Sequence, residues 1–109
     1  IATTRPSSIE QAISPTVASE LTAMMVESEK HSGGQGAIPG VQIASKTGTA
    51  EHGAGSFPHG WYIAFAPVDK PKIAIAVIVE NGGGQGASAV GATTAAPVAR
   101  AVIAAGLGK

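Results

Sequence analysis

Cysteine is absent from this chain of 109 residues, which excludes disulfides and thiolate-bound metal sites. That suits a cytosolic protein and equally an exported one that does without bridges, so the compartment stays open. Charge is scarce as well: Asp, Glu, Lys and Arg supply 13% of the residues, against roughly a quarter in ordinary soluble domains. Seven basic and seven acidic side chains cancel, leaving no net field to attract nucleic acid or anionic lipid. No nucleic-acid partner is expected. Long hydrophobic runs are missing too, since none approaches the roughly 18 residues that span a bilayer. The first residue is Ile1, with neither an initiator Met nor a basic signal-like start, so an N-terminus made by cleavage or by a chosen cut is expected.

What remains is apolar: 44% of the residues, in a length that fits one small domain, a composition that suits a core piece. Residues 1–13 mix Thr, Ser, Pro and a few apolar side chains without a period and read as a loop. Ser14-Pro15 is a good helix start, because Ser can cap free N–H groups and Pro at the first helical position gives up no hydrogen bond. The helix is expected to run to about Lys30. Val17, Leu21, Met24 and Met25 follow three-to-four spacing loosely, which predicts one buried face with the two methionines as core filling rather than a ligand groove. His31-Ser32-Gly33-Gly34-Gln35-Gly36 should stop it, a glycine after a basic last turn suiting a C-cap.

Three strand-like segments follow, at 41–49, 59–66 and 72–80, joined by short turn-rich stretches that suggest an antiparallel meander. Ile73-Ala74-Ile75-Ala76-Val77-Ile78-Val79 is apolar on both faces and predicts a strand that is central or covered on each side. After Asn81-Gly82-Gly83-Gly84-Gln85-Gly86 an Ala-rich helix is expected over 87–105, packing closely on a sheet, with Pro97 starting or kinking it. No internal repeat is present.

Ser45-Lys46-Thr47-Gly48-Thr49-Ala50 is the strongest chemical signal. One ammonium and two hydroxyls beside a glycine, at the end of an apolar strand, could bind a carboxylate with close backbone approach. Two rival motifs fail. Gly40 to Thr47 lacks the second glycine of a P-loop, with Ser45 in its place, and no helix pattern follows. Gly84-Gln85-Gly86-Ala87-Ser88-Ala89 reads as a dinucleotide fingerprint, but the strands before it look antiparallel and no later strand supplies a ribose-binding acid. His31, His52 and His59 lack metal-ligand spacing and read as exposed loop residues. Glu51 reads as a strand-end residue, and Trp61 and Tyr62 as sheet packing.

Lys-Thr-Gly belongs, with a Ser-x-x-Lys nucleophile and a Ser-Asp-Asn motif, to the signature of penicillin-binding proteins and class A β-lactamases. The stretch Gly40-Val41-Gln42-Ile43-Ala44-Ser45-Lys46-Thr47-Gly48-Thr49-Ala50-Glu51, the segment His59-Gly60-Trp61-Tyr62-Ile63-Ala64-Phe65-Ala66-Pro67, and Pro71 to Glu80 with the Gly-rich turn and Ala95-Ala96-Pro97-Val98-Ala99 resemble class B penicillin-binding proteins. An actinobacterial group of them is most similar. Thr-Gly-Thr-Ala-Glu and the Trp-Tyr-Ile-Ala-Phe-Ala-Pro strand favour a transpeptidase over a class A β-lactamase. Neither Ser-x-x-Lys nor Ser-x-Asn occurs upstream of Lys46, so the resemblance implies a C-terminal segment whose N-terminal remainder holds the nucleophile, and a segment that is inactive alone.

The implied fold is α/β of the α+β type, an antiparallel β-sheet flanked by helices, as the C-terminal part of the penicillin-binding protein and serine β-lactamase fold. The implied activity is that of a D,D-transpeptidase, membrane-anchored on the extracytoplasmic face. It would cross-link peptidoglycan stem peptides through an acyl-serine and be acylated by β-lactam antibiotics. Lys46 would set the positive potential for the substrate carboxylate, Thr47 and Thr49 hydroxyls would bind it, and Gly48 would permit close approach. The Thr49 N–H would be an oxyanion donor. No metal or cofactor is implied. A non-catalytic β-lactam-sensing or structural domain of the same fold is the alternative.

Overall fold

The computed structural model describes residue 7, residues 10–32 and residues 38–109. Most of the expected N-terminal loop, and the glycines expected to cap the first helix, lie outside the described residues. Helix α1 spans Pro15–His31, with Ser14 at its N-cap accepting a hydrogen bond from the Val17 N–H at 3.3 Å and Pro15 in the first turn. Its C-terminus is closed by Ser32, whose Oγ donates to the Ser28 carbonyl at 2.8 Å. Strands β1 (Ala44–Ala50), β2 (His59–Ala66) and β3 (Ile73–Val79) form a three-stranded antiparallel sheet in the order β1-β2-β3, the expected meander. β1 starts three residues later than its apolar run suggests, because Gly40 at φ +73° and the Val41 N–H bonded to Ile38 O make a turn there.

Helix α2, Gly91–Gly106, lies across one sheet face. Ala95, Ala96, Ala99 and Ile103 are buried against Tyr62, Ala64 and Ala66, and the small side chains bring helix and sheet close, as expected. The helix starts four residues later than position 87. Glu80–Ser88 instead form a 3₁₀ stretch whose Asn81, Gly82, Gly83 and Gly86 take positive φ, and that conformation cannot feed an α-helix. Pro97 sits inside the helix rather than at its start. Lacking an N–H, it leaves the Thr93 carbonyl without its helical donor. The Gln85 side chain fills that role, with Nε2 donating to Thr93 O at 3.3 Å and Oε1 accepting from Thr93 Oγ1 at 2.6 Å.

Two packing expectations are not met among the described residues. β3 is there the outer strand of the sheet, and only Ile73, Ile75, Val77 and Val79 are half-buried on the α2 side. Its other face, Ala74, Ala76 and Ile78, is exposed, because α2 covers one side of the sheet only. Helix α1 has no fully buried residue, and Met24 is 60% exposed. It packs on β1 at the sheet's edge instead of laying a full face on a core. Met24 and Met25 line an open groove of about 430 Å³, with Leu21, Ser28, Lys46 and Ile63.

Candidate functional site

Lys46, Thr47, Gly48 and Thr49 occupy the middle of β1, an edge strand, where they pair with Ile63, Tyr62, Trp61 and Gly60. Strand alternation divides them between two faces. Lys46 and Gly48 share the face of Ile63 and Trp61, away from α2, whereas Thr47 and Thr49 share the face of Tyr62 and Gly60. Lys46 is exposed, its stem lines the apolar groove beside Ile63, and its Nζ donates to the Thr47 carbonyl at 2.6 Å. Thr49 is exposed and Thr47 half-buried.

Gly48 lies at a crowded crossing. A Cβ there would stand 3.3 Å from the Trp61 Cβ, and the first residue of α2, Gly91, presses on the same peptide from the other side. A Cβ on Gly91 would collide with the Trp61 carbonyl oxygen and come within 2.7 Å of the Gly48 carbonyl oxygen. The start of α2 is thus packed directly on the strand that carries the motif.

Behind this strand lies a buried polar cluster centred on Glu29 of α1. Glu29 Oε2 accepts hydrogen bonds from Ser45 Oγ at 2.5 Å and Tyr62 Oη at 2.7 Å, while Oε1 accepts from Arg100 Nε of α2 at 2.8 Å. The Arg100 and Glu29 side chains are 4% and 15% exposed, and Ser45 and Tyr62 are fully buried. The Arg100 guanidinium also stands 5.7 Å from the Tyr62 ring centroid. Burial alone would raise the Glu29 carboxyl, but hydrogen bonds from Arg100, Ser45 and Tyr62, with the Arg100 charge, outweigh it and hold the group below the usual carboxylate value. Burial, aided by the Glu29 carboxylate, pushes the Tyr62 phenol up to about 12. The short hydroxyl contacts fit charge-assisted bonds to an ionised carboxylate.

At the far end of β1, His52 and His59 stack with ring centroids 3.8 Å apart, and His59 Nδ1 accepts from the Asn81 N–H at 2.9 Å. Both residues are half-buried, not the exposed loop residues their spacing suggested, because each ring stacks on the other and His59 opens β2. Among the described residues no group of three His, Asp or Glu side chains could hold a metal ion.

The family model of the penicillin-binding protein transpeptidase domain matches residues 2–104. The chain belongs to that family. This transpeptidase-family chain is 56% identical over 110 residues to peptidoglycan D,D-transpeptidase PbpA of Mycolicibacterium smegmatis, covering 98% of the chain and 22% of that protein. It is 59% identical to the PbpA of Mycobacterium tuberculosis, over 89% of the chain and 20% of that protein. A solved structure of penicillin-binding protein A from M. tuberculosis, a ceftriaxone acyl-enzyme complex, superposes with a TM-score of 0.85 at 59% identity, covering 89% of this chain and 22% of that one. The chain therefore spans about a fifth of the length of the curated relatives it matches.

Within this transpeptidase-family chain the rival motifs lose their structural context. The glycine-rich stretch before α2 follows an antiparallel strand, and Lys46-Thr47 stand within a strand rather than at a helix start. Sequence reading missed the Glu29 cluster. Its signals were a solitary arginine, Arg100, in an Ala-rich helix and a serine at the buried end of β1. Neither names its partner.

Proposed function

We propose that this chain is the C-terminal segment of a D,D-transpeptidase that cross-links peptidoglycan stem peptides through an acyl-serine intermediate and is acylated by β-lactams. The observation that carries the reading is Lys46-Thr47-Gly48-Thr49 on an edge strand of an antiparallel sheet that superposes on a β-lactam acyl-enzyme. β1 has no strand partner on its outer side among the described residues, and an unpaired strand edge can hydrogen-bond an extended ligand. In acyl transfer the carbonyl oxygen gains negative charge as the tetrahedral intermediate forms, and preorganised N–H donors stabilise it. The Thr49 N–H is assigned to that role, Thr47 and Thr49 hydroxyls to the substrate carboxylate, and Lys46 to the positive potential that holds it. Gly48 lets the ligand approach the backbone.

The nucleophilic serine is assigned to an N-terminal remainder of the same protein, which also covers the exposed face bearing Trp61, Ile63 and Ile78. Placement on the extracytoplasmic side of a membrane rests on the family resemblance. The test is to treat the full-length protein with fluorescent penicillin and to measure turnover of a D-Ala-D-Ala thioester. Labelling with turnover is expected, and labelling without turnover would leave a sensing domain of the same fold. Lys46→Ala should slow acylation by carboxylate-bearing β-lactams while thermal unfolding stays near wild type, because an exposed lysine contributes little packing. Unchanged acylation by stopped flow would remove Lys46 from the site.

A further inference from the structure

We infer that Glu29 is a positioning residue for the Lys46-Thr47-Gly48-Thr49 strand, acting through the Ser45 and Tyr62 hydroxyls and steadied by Arg100. The inference rests on the functional reading above and goes beyond it, since Glu29 touches no assigned substrate group. Its carboxylate is hydrogen-bonded to three elements at once: β1 through Ser45, β2 through Tyr62 and α2 through Arg100. Ser45 is the residue before Lys46, and Tyr62 is the cross-strand partner of Thr47. The two hydroxyls on one carboxylate oxygen therefore hold the backbone on both sides of Lys46. α1 packs against β1 and supplies that carboxylate from outside the sheet.

Energetics favour a geometric role over a purely stabilising one. A buried ion pair is weak support for stability, because desolvating both charges offsets most of their attraction. Its directional bonds do select one arrangement: a fully buried serine hydroxyl that loses its acceptor is left unsatisfied, so the strand cannot slide or twist without breaking the contact. The ligand-binding groups lie on the next four residues, and displacements of about 1 Å in a catalytic group can slow a reaction about 10²-fold.

The test uses the full-length protein, a carboxylate-bearing penicillin and its methyl ester. Acylation rates would be compared for wild type, Lys46→Ala, Glu29→Gln, Ser45→Ala, the Glu29→Gln/Ser45→Ala double variant, and Ile103→Val as a core change that leaves the cluster intact. Glu29→Gln should slow acylation by the free acid about 10- to 10²-fold. The ester should be slowed less, so that the preference for the carboxylate shrinks, as it does in Lys46→Ala. The double variant should be no slower than Glu29→Gln, since both changes act through one contact. Ile103→Val should lower the melting temperature and leave the acid-to-ester ratio unchanged. A folded Glu29→Gln protein with the wild-type ratio, or one slowed equally toward acid and ester, overturns the inference while wild-type labelling still upholds the transpeptidase reading. If Glu29→Gln does not fold, Ser45→Ala decides: a wild-type rate and ratio in that variant overturns the inference. A wild-type protein that is not acylated at all overturns both.

Discussion

Thr49 carries two separable contributions in the proposed site, a hydroxyl and a main-chain N–H. It is exposed on the edge strand opposite Gly60, so its side chain can be changed with little loss of packing. Thr49→Ser should be mild, and Thr49→Ala should weaken carboxylate binding while keeping the oxyanion contact. Thr49→Pro removes the N–H and should slow acylation by about 10²–10³. Proline also disturbs a sheet ladder, so the comparison holds for a variant that thermal unfolding shows to be folded. Equal acylation rates for folded Thr49→Pro and Thr49→Ala would leave only the hydroxyl contact. At this scale the ligand-facing residues were legible because four consecutive residues announce them. Glu29 was not: a glutamate in a helix ordinarily faces water, and its arginine partner is 71 positions away.

Among the elements, α2 joins the core to the motif strand. Its Ala-rich face was readable as a close-packing surface, but its first turn was not, because the demand for glycine at position 91 comes from the Gly48 and Trp61 peptides beneath it. Gly91→Ala should destabilise the protein by about 1–3 kcal/mol, the usual cost of forcing a methyl into a packed site. Since the collision is with β1 and β2 backbone, penicillin acylation should also slow in the folded fraction. Melting temperature and labelling rate together check this, and an unchanged melting temperature would mean that α2 can shift away freely. Pro97 shows the same dependence on context. The sequence places a helix breaker there, yet Gln85 occupies the carbonyl that the proline orphans and the helix continues.

The whole chain has a radius of gyration of 15.2 Å, against about 13 Å for a compact domain of 100 residues. The Glu29 cluster links α1, the sheet and α2 beside the apolar core, and its titration gives the molecule two pH limits. Glu29 has a lowered folded pKa, so its contribution is present above the ordinary glutamate value of about 4.3 and is lost as pH falls through the folded value. Tyr62 has a raised one, so the folded state keeps a proton that the unfolded state gives up. Its contribution therefore declines as pH rises from about 10 to about 12. In full-length protein, Tyr62→Phe should flatten the alkaline fall in melting temperature and Glu29→Gln the acid one. Identical alkaline profiles for wild type and Tyr62→Phe would place that limit elsewhere.

Local order was written in the sequence alone: the Ser14-Pro15 helix start, the three strand segments, the short connections that suggest an antiparallel meander, and the contiguous Lys46-Thr47-Gly48-Thr49 motif. Each depends on neighbours along the chain, through capping, local composition or turn geometry, so each survives without knowledge of the fold. Tertiary structure alone decided that β3 lies at an edge, that α1 leaves Met24 exposed, that His52 stacks on His59, and that Glu29 holds Ser45, Tyr62 and Arg100. The Glu29 contacts join residues 16, 33 and 71 positions apart, and the other features depend on what packs beside each element. Apolar periodicity states that a face will be covered but not by what, and a buried carboxylate is recognisable only when the donors that offset its desolvation have been brought around it.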